Sequence, residues 1–363
     1  MRKMLHTLCI LACIFVPSLC LSAPQELMGT GINMQTHPVW INGHSRLYQR
    51  VAALSGDKVK MIYYNPNAIC PEAEVLASIQ KGVLQFGQIS VAKNPNIFPI
   101  YIGTELPFIF SSARAACAAS YKIATSAPFS NEFDKANVKL LIGGTSAPLD
   151  LLSVKPVSRL EDIKGMKIGT GGAGGVEILK ALGAVPIVIS SPDAYMGLQR
   201  GTLDGVLMPV PAYRSLKLPE VAKHLLKCSI ATWGSTTVIN KDVYNAFAPD
   251  IKQAFDQLFG LKAGMSNGTC VDKFTVDDLN YMVQNMGLKV TVLDEKNRQA
   301  FHKALEPLTN AWKARVSKLG VDAEAAYRVI RQWADHYNNL DTFNKEYETY
   351  KDILGPAYIP GRF

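Results

Sequence analysis

The sequence predicts an α/β fold in which a mostly parallel sheet carries helices on its faces. Residues 58–64 alternate as a β-strand does, and residues 71–81 then carry apolar side chains at helical spacing. A second strand pattern follows at residues 84–91. Two parallel strands need a crossover connection of this kind, which is usually a helix. The same alternation recurs through the middle of the chain, and this repetition favours the α/β class.

The remaining elements are predicted in order along the chain. A capping box from Ser158 to Glu161 opens a short helical turn, and the chain beyond residue 239 is predicted to be mostly helical up to about residue 339. The other predicted elements are strand 27–32, helix 38–54, strands 138–143, 149–154 and 166–168, helix 174–182, strand 185–189, helix 192–200, and strands 205–208 and 236–239.

Residues 1–23 have the composition of a secretory signal peptide. Arg2 and Lys3 are followed by a mostly apolar stretch and by small residues that end at Ala23. The alternatives are a membrane anchor, although Pro17 interrupts a stretch near the short limit for spanning, and a lipoprotein modified at Cys13. We therefore expect an exported protein that is located in the periplasm.

The charge pattern argues against a nucleic-acid partner. The net charge is +8, but the lysines and arginines are scattered. A basic patch with interleaved aromatic residues, which nucleic-acid binding needs, is not visible in the sequence.

Four cysteines remain beyond the predicted signal peptide. In an oxidising compartment an even number of widely spaced cysteines suggests disulfides, and we predict the pairs Cys70–Cys117 and Cys228–Cys270. Buried free thiols are the alternative. Since no C-x-x-C spacing occurs, we expect no metal site, and we expect no cofactor.

Catalytic signatures are missing as well. The sequence has no G-x-S-x-G elbow, and its histidines lack the spacing of metal ligands. We therefore expect no catalytic residues and a protein that binds its ligand without changing it.

Several short motifs, in one order, resemble those of the solute-binding proteins of TRAP (tripartite ATP-independent periplasmic) transporters. Residues 157–168, VSRLEDIKGMKI, resemble a stretch that in this family ends in an arginine. The resemblance covers nearly the whole chain after the predicted signal peptide. The other matching segments are EVL to Gly at 74–82, LPFIF at 106–110, ALGAVP at 181–186, DAY to LDG at 193–205 and EVAK at 220–223.

This resemblance implies a two-lobed periplasmic-binding-protein-like (type II-like) fold with a long helix spanning both lobes. The first lobe is expected to comprise residues 24–146 plus about 237–278, and the second residues 147–236 plus about 279–340. Residues 341–363 form a C-terminal tail that either packs on its own lobe or serves dimerisation, so the protein is expected to be a monomer or a homodimer.

The resemblance also implies a function. Such proteins close over a small-molecule ligand, typically an organic acid, and deliver it to the membrane permease subunits of the transporter. The alternative is a periplasmic ligand sensor that feeds a signalling partner, because both roles need the same closing clamp.

The expected ligand-binding arginine is absent. Gly169 stands at its position, and a second arginine, found on the preceding strand in some members, is Leu149 here. The asparagine that often follows the DG motif is Met208, and an aromatic residue near Ser191 is missing. A bidentate arginine is the usual partner of a planar carboxylate, so these differences leave the charge of the ligand open.

Three explanations are compatible with this change. The ligand is uncharged or cationic and lies against a wall of Leu149, Met208 and Trp233. Alternatively it is an anion held by backbone N–H groups of the glycine run at residues 169–175, which opens a predicted helix. In the third explanation another cation reaches the site, and Arg214 and Lys217 are the candidates.

The glycine run has a purely structural interpretation too, because glycines between a strand and a helix permit a tight turn and close packing. Other candidate ligand contacts lie in loops and at strand ends that face the presumed crevice. These candidates are Asn33, Gln35, His37, Ser90, Thr145, Thr170 and Trp233.

Overall fold

The structure of the protein is a computed structural model that describes residues 23–37, 39–190 and 193–350. Most of the predicted signal peptide and the last part of the predicted tail lie outside these residues. The strands in the described part of the chain are β1 (Gln25–Thr30), β2 (Val59–Tyr63), β3 (Phe86–Ser90), β4 (Val138–Ile142), β5 (Leu149–Ser153), β6 (Lys167–Thr170), β7 (Val185–Val188), β8 (Gly205–Pro209), β9 (His224–Lys227), β10 (Ser235–Asn240) and β11 (Lys289–Val292).

Helices cover both sheets that these strands form. A π-helical segment, Trp40–His44, runs directly into the first α-helix. The α-helices are α1 (Ser45–Leu54), α2 (Val75–Gln80), α3 (Ala113–Ala124), α4 (Ser130–Lys135), α5 (Leu160–Ile163), α6 (Ala173–Ala181), α7 (Asp193–Gln199), α8 (Val210–Ser215), α9 (Lys241–Ala246), α10 (Pro249–Leu258), α11 (Leu261–Met286), α12 (Glu295–Lys318), α13 (Ala323–Asn338) and α14 (Leu340–Glu348).

Each of the two lobes contains one sheet. The strand order is β2-β1-β3-β10-β4 in the first lobe and β11-β9-β5-β8-β6-β7 in the second. In each sheet one strand is antiparallel to both neighbours, namely β10 in the first and β5 in the second. The sheets are therefore mixed, not mostly parallel as predicted. The physical reason is that β10 and β5 are the strands that enter each lobe from the other one.

Two long helices span both lobes, which confirms the predicted fold and adds a second helix to it. Helix α11 has 26 residues and is about 39 Å long. Its Met265 packs in the core of the first lobe, and its Met282 packs in the core of the second. Helix α12 runs in the opposite sense, because Phe301 lies in the core of the second lobe and Trp312 in that of the first.

The lobe assignment predicted for residues 279–340 is wrong in its second half. From Trp312 onward the buried side chains pack in the core of the first lobe, together with residues such as Phe98. Ile330 and Tyr337 of α13 belong to this core as well. The assignment failed because helical periodicity shows which face of a helix is buried but not which lobe buries it.

The chain passes between the lobes in two adjacent segments, residues 143–148 and 228–234. They pair with each other, since Ser146 N–H donates to the Trp233 carbonyl at 2.9 Å and Leu149 N–H donates to the Ala231 carbonyl at 2.8 Å. An isolated antiparallel bridge joins Thr145 to Gly234. The lobes are thus connected by a short two-stranded ribbon.

Buried carboxylates hold both ends of the second segment. At the second lobe, one oxygen of Asp150 accepts hydrogen bonds from the Cys228 N–H at 2.9 Å and the Ser229 N–H at 2.8 Å. At the first lobe, Glu105 accepts the Gly234 N–H at 3.0 Å. Burial raises the pKa of Asp150 to about 6 and that of Glu105 to about 8.

Phe108, in the LPFIF motif, makes a third connection between the lobes. Its N–H donates to the Ile230 carbonyl at 2.7 Å, and its carbonyl accepts from Arg331 Nη1 at 3.2 Å. Its ring stacks on His302 of α12 with centroids 3.8 Å apart. Phe108 has a φ of 56°, which is unfavourable for a bulky residue, so these contacts hold the backbone in a strained conformation.

Some elements had no sequence prediction. Helix α3 is rich in alanine, and small residues give a weak apolar periodicity; it packs so closely on α11 that a Cβ at Gly268 would lie 2.5 Å from the Arg114 Cα. Strands β9 and β11 have four residues each, too few to show alternation. The capping carboxylate of α5 is Asp162, not Glu161, and it accepts the Ser158 and Arg159 N–H groups.

The predicted disulfides Cys70–Cys117 and Cys228–Cys270 are wrong, because all four cysteines are free. The two cysteines of the second pair pack in different places. Cys228 lies in the core of the second lobe, whereas Cys270 packs on α11 beside Val39 and Phe274. Burial raises the pKa of the Cys117 thiol to about 12, so this cysteine is held as an unreactive thiol.

Within the three described ranges, no helix is both long enough and apolar enough to cross a bilayer.

We predict that Asp150→Ala lowers the free energy of unfolding by about 3 kcal/mol, because two buried N–H groups lose their acceptor. Asp150→Asn keeps an acceptor oxygen and is expected to lose less than half as much. Urea denaturation of the two variants measures the difference. Equal losses would show that Asp150 does not act through these two hydrogen bonds.

Candidate functional site

Strands of both lobes end beside the connecting ribbon. Ser90 ends β3 and pairs with Ser235, close to Trp233 and Thr145 in the ribbon. In the second lobe, β6 ends at Thr170 and leads into the glycine run. An added Cβ at Gly171 would lie 3.9 Å from Trp233 Cη2, so the indole reaches the start of α6. The carboxyl ends of β3 and β6 thus lie beside the ribbon, where a ligand site is expected in this fold.

The loop after β1 carries three of the predicted contacts, Asn33, Gln35 and His37. The Asn33 carbonyl accepts from the Tyr63 hydroxyl at 2.7 Å, while Gln35 Nε2 donates to the Tyr63 carbonyl at 2.6 Å. His37 Nδ1 accepts the Val39 N–H at 3.2 Å, and its ring meets the edge of another ring on α11. The loop is therefore fixed to its own lobe by backbone and side-chain hydrogen bonds.

The ribbon residues are held by mutual hydrogen bonds. Thr145 Oγ1 donates to the Trp233 carbonyl at 3.2 Å, and the Trp233 N–H donates to Ser146 Oγ at 3.0 Å. Thr145 is buried, whereas Trp233 and Ser90 are partly exposed. Trp233 and Ser90 are therefore the predicted contacts in this region that can reach a ligand directly.

The glycine run combines packing and open space. An added Cβ at Gly175 would lie 2.0 Å from Thr170 Oγ1, so only glycine lets α6 lie against β6. Gly172 and Gly174 have no atom within 4 Å of an added Cβ. Thr170 is fully buried, and its hydroxyl has no hydrogen-bond partner among the described residues. Packing explains Gly175, but it does not explain Gly172 or Gly174.

Helix α6 begins without a side-chain cap. Its N-cap residue is Gly172, in an extended conformation with φ −172°. The first N–H groups of an α-helix have no partner within the helix, and the helix dipole adds partial positive charge there. The space around added Cβ atoms at Gly172 and Gly174 is open, and a helix start of this kind favours an anion.

Gly169, at the position of the expected arginine, lies within β6 and is buried. An added Cβ would lie 2.5 Å from Ile189 Cδ1 and 3.1 Å from Leu203 Cδ1. These two side chains also line a cavity of about 240 Å³ between β7 and α7. A larger residue at position 169 would therefore have to displace Ile189 and Leu203.

Two other predicted contacts do not face the crevice. Leu149 is fully buried in the core that includes Ile168 and Leu207, and Met208 is 2% exposed in a different core of the same lobe. Alternate residues of neighbouring strands point to opposite faces of the sheet, so the predicted wall of Leu149, Met208 and Trp233 does not form. Ser191 lies outside the described residues.

One of the two proposed substitute cations has a partner in the second lobe. Arg214 Nη1 donates to Asp278 Oδ1 of α11 at 2.5 Å, and the guanidinium lies 4.1 Å from the centroid of Tyr281. Lys217 is exposed at the turn after α8. Arg214 is therefore engaged in joining α8 to α11.

Sequence reasoning missed Gln88 and His44, which form a buried polar cluster under the first-lobe loop. Gln88 Oε1 accepts the N–H groups of Ile32 and Asn33, each at 3.3 Å. Gln88 Nε2 lies 3.0 Å from His44 Nε2. The available signal was a glutamine in the centre of β3, where a buried strand otherwise has apolar residues.

Comparison with known proteins gives a consistent result. Residues 31–315 match the sequence profile described as bacterial extracellular solute-binding protein, family 7. The C4-dicarboxylate-binding periplasmic protein of Rhodobacter capsulatus is 22% identical over 279 residues, which are 76% of this chain and 82% of that protein. The 2,3-diketo-L-gulonate-binding periplasmic protein of Escherichia coli (strain K12) is 29% identical over 152 residues, 41% of this chain and 45% of that protein. The chain thus spans about half the length of the latter relative.

Solved structures share the fold. A TRAP periplasmic solute-binding protein from Desulfovibrio salexigens has a TM-score of 0.80 at 22% identity, covering 86% of this chain and 96% of that one. A TRAP solute-binding protein from Rhodoferax ferrireducens, in complex with copurified benzoate, has a TM-score of 0.77 at 20% identity, covering 87% and 99%. One from Bordetella bronchiseptica, with bound mandelate, has a TM-score of 0.75 at 22% identity, covering 86% and 99%.

We predict that the two glycines of α6 respond differently to alanine. Gly175→Ala should lower the free energy of unfolding by about 2 kcal/mol, because the new methyl group overlaps Thr170. Gly174→Ala should leave stability unchanged or raise it slightly, since alanine favours the helix and the space is open. Thermal and urea unfolding of both variants test this. A large loss for Gly174→Ala would mean that the helix start is closed.

We also predict a pH dependence from His44. Burial lowers its pKa to about 4, compared with about 6.5 in an unfolded chain. Between these values the unfolded state binds a proton that the folded state does not, so the free energy of unfolding falls as pH drops from about 6.5 to 4, by about 3 kcal/mol. Urea denaturation over this range, compared with His44→Gln, isolates the effect. Parallel curves for both proteins would contradict it.

Proposed function

Because this chain belongs to the bacterial extracellular solute-binding protein family 7, we propose that it binds a small organic carboxylate between its two lobes and delivers it to the permease subunits of a TRAP transporter. The ligand's carboxylate lies at the start of α6, where backbone N–H groups replace the missing arginine. The rest of the ligand packs on Trp233.

The uncapped start of α6 carries this proposal. It lies beside Trp233, and added Cβ atoms at Gly172 and Gly174 would have no neighbouring atom within 4 Å. Glycines at a helix start let an anion approach the backbone N–H groups closely, and the helix dipole adds to the attraction. The dipole supplies less charge than a guanidinium, so affinity depends more on the apolar part of the ligand.

The competing explanations lose their support in the structure. An apolar wall for a neutral ligand would need Leu149 and Met208, and both are buried inside the second lobe. Of the two candidate substitute cations, Arg214 is paired with Asp278, whereas Lys217 is exposed at the turn after α8. Among the three explanations, an anion at the glycine run is the one that the placement of residues favours.

Aromatic monocarboxylates are the ligand class that we favour. The partly exposed Trp233 offers a flat apolar surface next to the proposed carboxylate position. Benzoate and mandelate are bound by the Rhodoferax ferrireducens and Bordetella bronchiseptica proteins, which share the fold. An aromatic monocarboxylate has one negative charge and one ring. In this proposal the charge lies at the start of α6 and the ring packs on the Trp233 indole.

Delivery to a permease takes place in the periplasm in this proposal. The predicted signal peptide at residues 1–23 supports export. The two lobes joined by a two-stranded ribbon support a closing motion around the ligand. Closure would exclude water from the crevice and strengthen the interaction of the carboxylate with the α6 N–H groups.

We predict that benzoate or mandelate stabilises the purified protein and that benzamide, the uncharged analogue of benzoate, does not. At about 100 times the dissociation constant a ligand adds about 2.7 kcal/mol, a shift of a few degrees in Tm. Thermal-shift screening followed by titration calorimetry measures this. Equal stabilisation by benzoate and benzamide would exclude a carboxylate site, and stabilisation by neither would exclude this ligand class.

The contacts are tested with variants in the same titration. Gly174→Ala should weaken binding about tenfold with unchanged stability, because a methyl group crowds the helix start. Trp233→Leu should weaken it by a similar factor through the loss of ring contacts. Trp333→Leu, a partly buried tryptophan of α13 in the first-lobe core, is the matched control and should bind normally. Normal binding by Gly174→Ala would place the carboxylate elsewhere.

A further inference from the structure

The polar cluster of Gln88, His44 and Thr237 lies inside the first lobe, directly beneath the loop that follows β1. All three residues are at most 2% exposed. Burying three hydrogen-bonding side chains has a cost that apolar residues would avoid, so the cluster requires a reason. The hydrogen bonds of Gln88 supply one.

Gln88 can adopt only one orientation. Its Oε1 faces the N–H groups of Ile32 and Asn33, each at 3.3 Å. These groups are donors, so the amide must present its oxygen to them and its NH₂ group to the opposite side. On that side lies His44 Nε2, at 3.0 Å.

His44 therefore has to act as an acceptor. Because Gln88 Nε2 donates, His44 Nε2 must be unprotonated, and the ring is neutral with its proton on Nδ1. The Thr237 hydroxyl, 3.3 Å from the same nitrogen, serves as a second donor. A protonated His44 would place its Nε2–H against two other donors, Gln88 Nε2 and the Thr237 hydroxyl. This would favour a flipped Gln88 amide whose oxygen faces His44, and Gln88 would then no longer accept the N–H groups of the loop.

The hydrogen bonds that hold Ile32 and Asn33 come from Gln88 and Tyr63, whereas those of Gln35 come from Asn65 and Tyr63. Gly31 passes so close to Gln88 that an added Cβ would lie 2.4 Å from the Gln88 Cβ. The next residue after Asn33, Met34, is half exposed, and Gln35 is exposed as well. The direction in which Asn33 enters the crevice is thus set mainly by Gln88 and by the Tyr63 hydroxyl.

We propose that His44 is a positioning residue for ligand binding: it orients the Gln88 amide, which holds the backbone of Ile32 and Asn33 and so aims the first-lobe loop at the crevice. The role of His44 in ligand binding rests on the function proposed above. Its role in ordering the loop is independent of that function.

The first experiment uses the unliganded protein and amide hydrogen exchange. In His44→Leu the Ile32 and Asn33 amides should exchange at least tenfold faster, while amides of β6 and β8 in the second lobe stay unchanged. His44→Gln, which offers an acceptor oxygen, should restore most of the protection. Val51→Ala, which removes a fully buried apolar side chain from the same lobe, controls for a general loss of stability.

A second variant keeps the test informative if His44→Leu does not fold. Gln88→Glu still offers an oxygen to the loop, but its other oxygen requires a donor, so His44 Nε2 must carry a proton, either by a change of tautomer or by protonation of the ring. The adjacent carboxylate favours the protonated ring. We expect the His44 ring to titrate at a higher pH than in the wild type, as measured by imidazole NMR. An unchanged titration would overturn the proposed orientation of the cluster.

Two measurements, amide exchange in the loop and ligand binding, distinguish the proposed role of His44 from the proposed ligand class. If His44→Leu loosens the loop and weakens benzoate binding about tenfold more than Val51→Ala does, both are supported. If the loop loosens but no carboxylate binds the wild type, the proposed ligand class is wrong and the role of His44 in the loop stands. If exchange at Ile32 and Asn33 matches that of Val51→Ala, His44 is a structural residue and the inference is overturned.

Discussion

The two-stranded ribbon between the lobes is the constraint on which the rest of the structure depends. Residues 143–148 and 228–234 join the lobes together with the spanning helices α11 and α12. Asp150 and Glu105 hold the two ends of the second segment by accepting its N–H groups. Since each carboxylate belongs to a different lobe, the ribbon is anchored on both sides.

The cost of this arrangement is the burial of two carboxylates. Desolvation raises the pKa of both carboxyl groups, and the hydrogen bonds from the N–H donors offset only part of this increase. Phe108 adds strained backbone at the same junction. Such features lower stability, and they persist where the surrounding packing determines them strongly. Here the spanning helices α11 and α12 supply that packing, because each buries side chains in both lobes.

In the proposed site, ligand recognition relies on backbone more than on charged side chains. The start of α6 has no side-chain cap, and in the first lobe a buried glutamine accepts backbone N–H groups of the loop and lies beside a buried histidine. Backbone groups cannot change rotamer to meet a ligand, so a site built from them requires neighbouring residues that fix the position of the backbone. Thr170 and Gly175 are such residues under α6, and Gln88 is one under the loop.

Several sequence predictions depended on local pattern and held. Strand and helix periodicity located most of the secondary structure, with ends within a few residues, and the motif order indicated the family and its two lobes. The failures share a cause. The disulfide pairs, the lobe assignment of α13 and the wall of Leu149 and Met208 all required knowing which distant residues meet. Nothing in the spacing of a sequence specifies that.

The sequence by itself determined the α/β class, the family and the absence of an arginine at position 169, because these depend on residue identity and local order. The tertiary structure alone decided which of the remaining groups can face a ligand. Gly175 packs against Thr170, whereas an added Cβ at Gly174 has open space around it, and Arg214 is paired with Asp278. Both outcomes follow from contacts between residues on different elements, and such contacts exist only once the chain has folded.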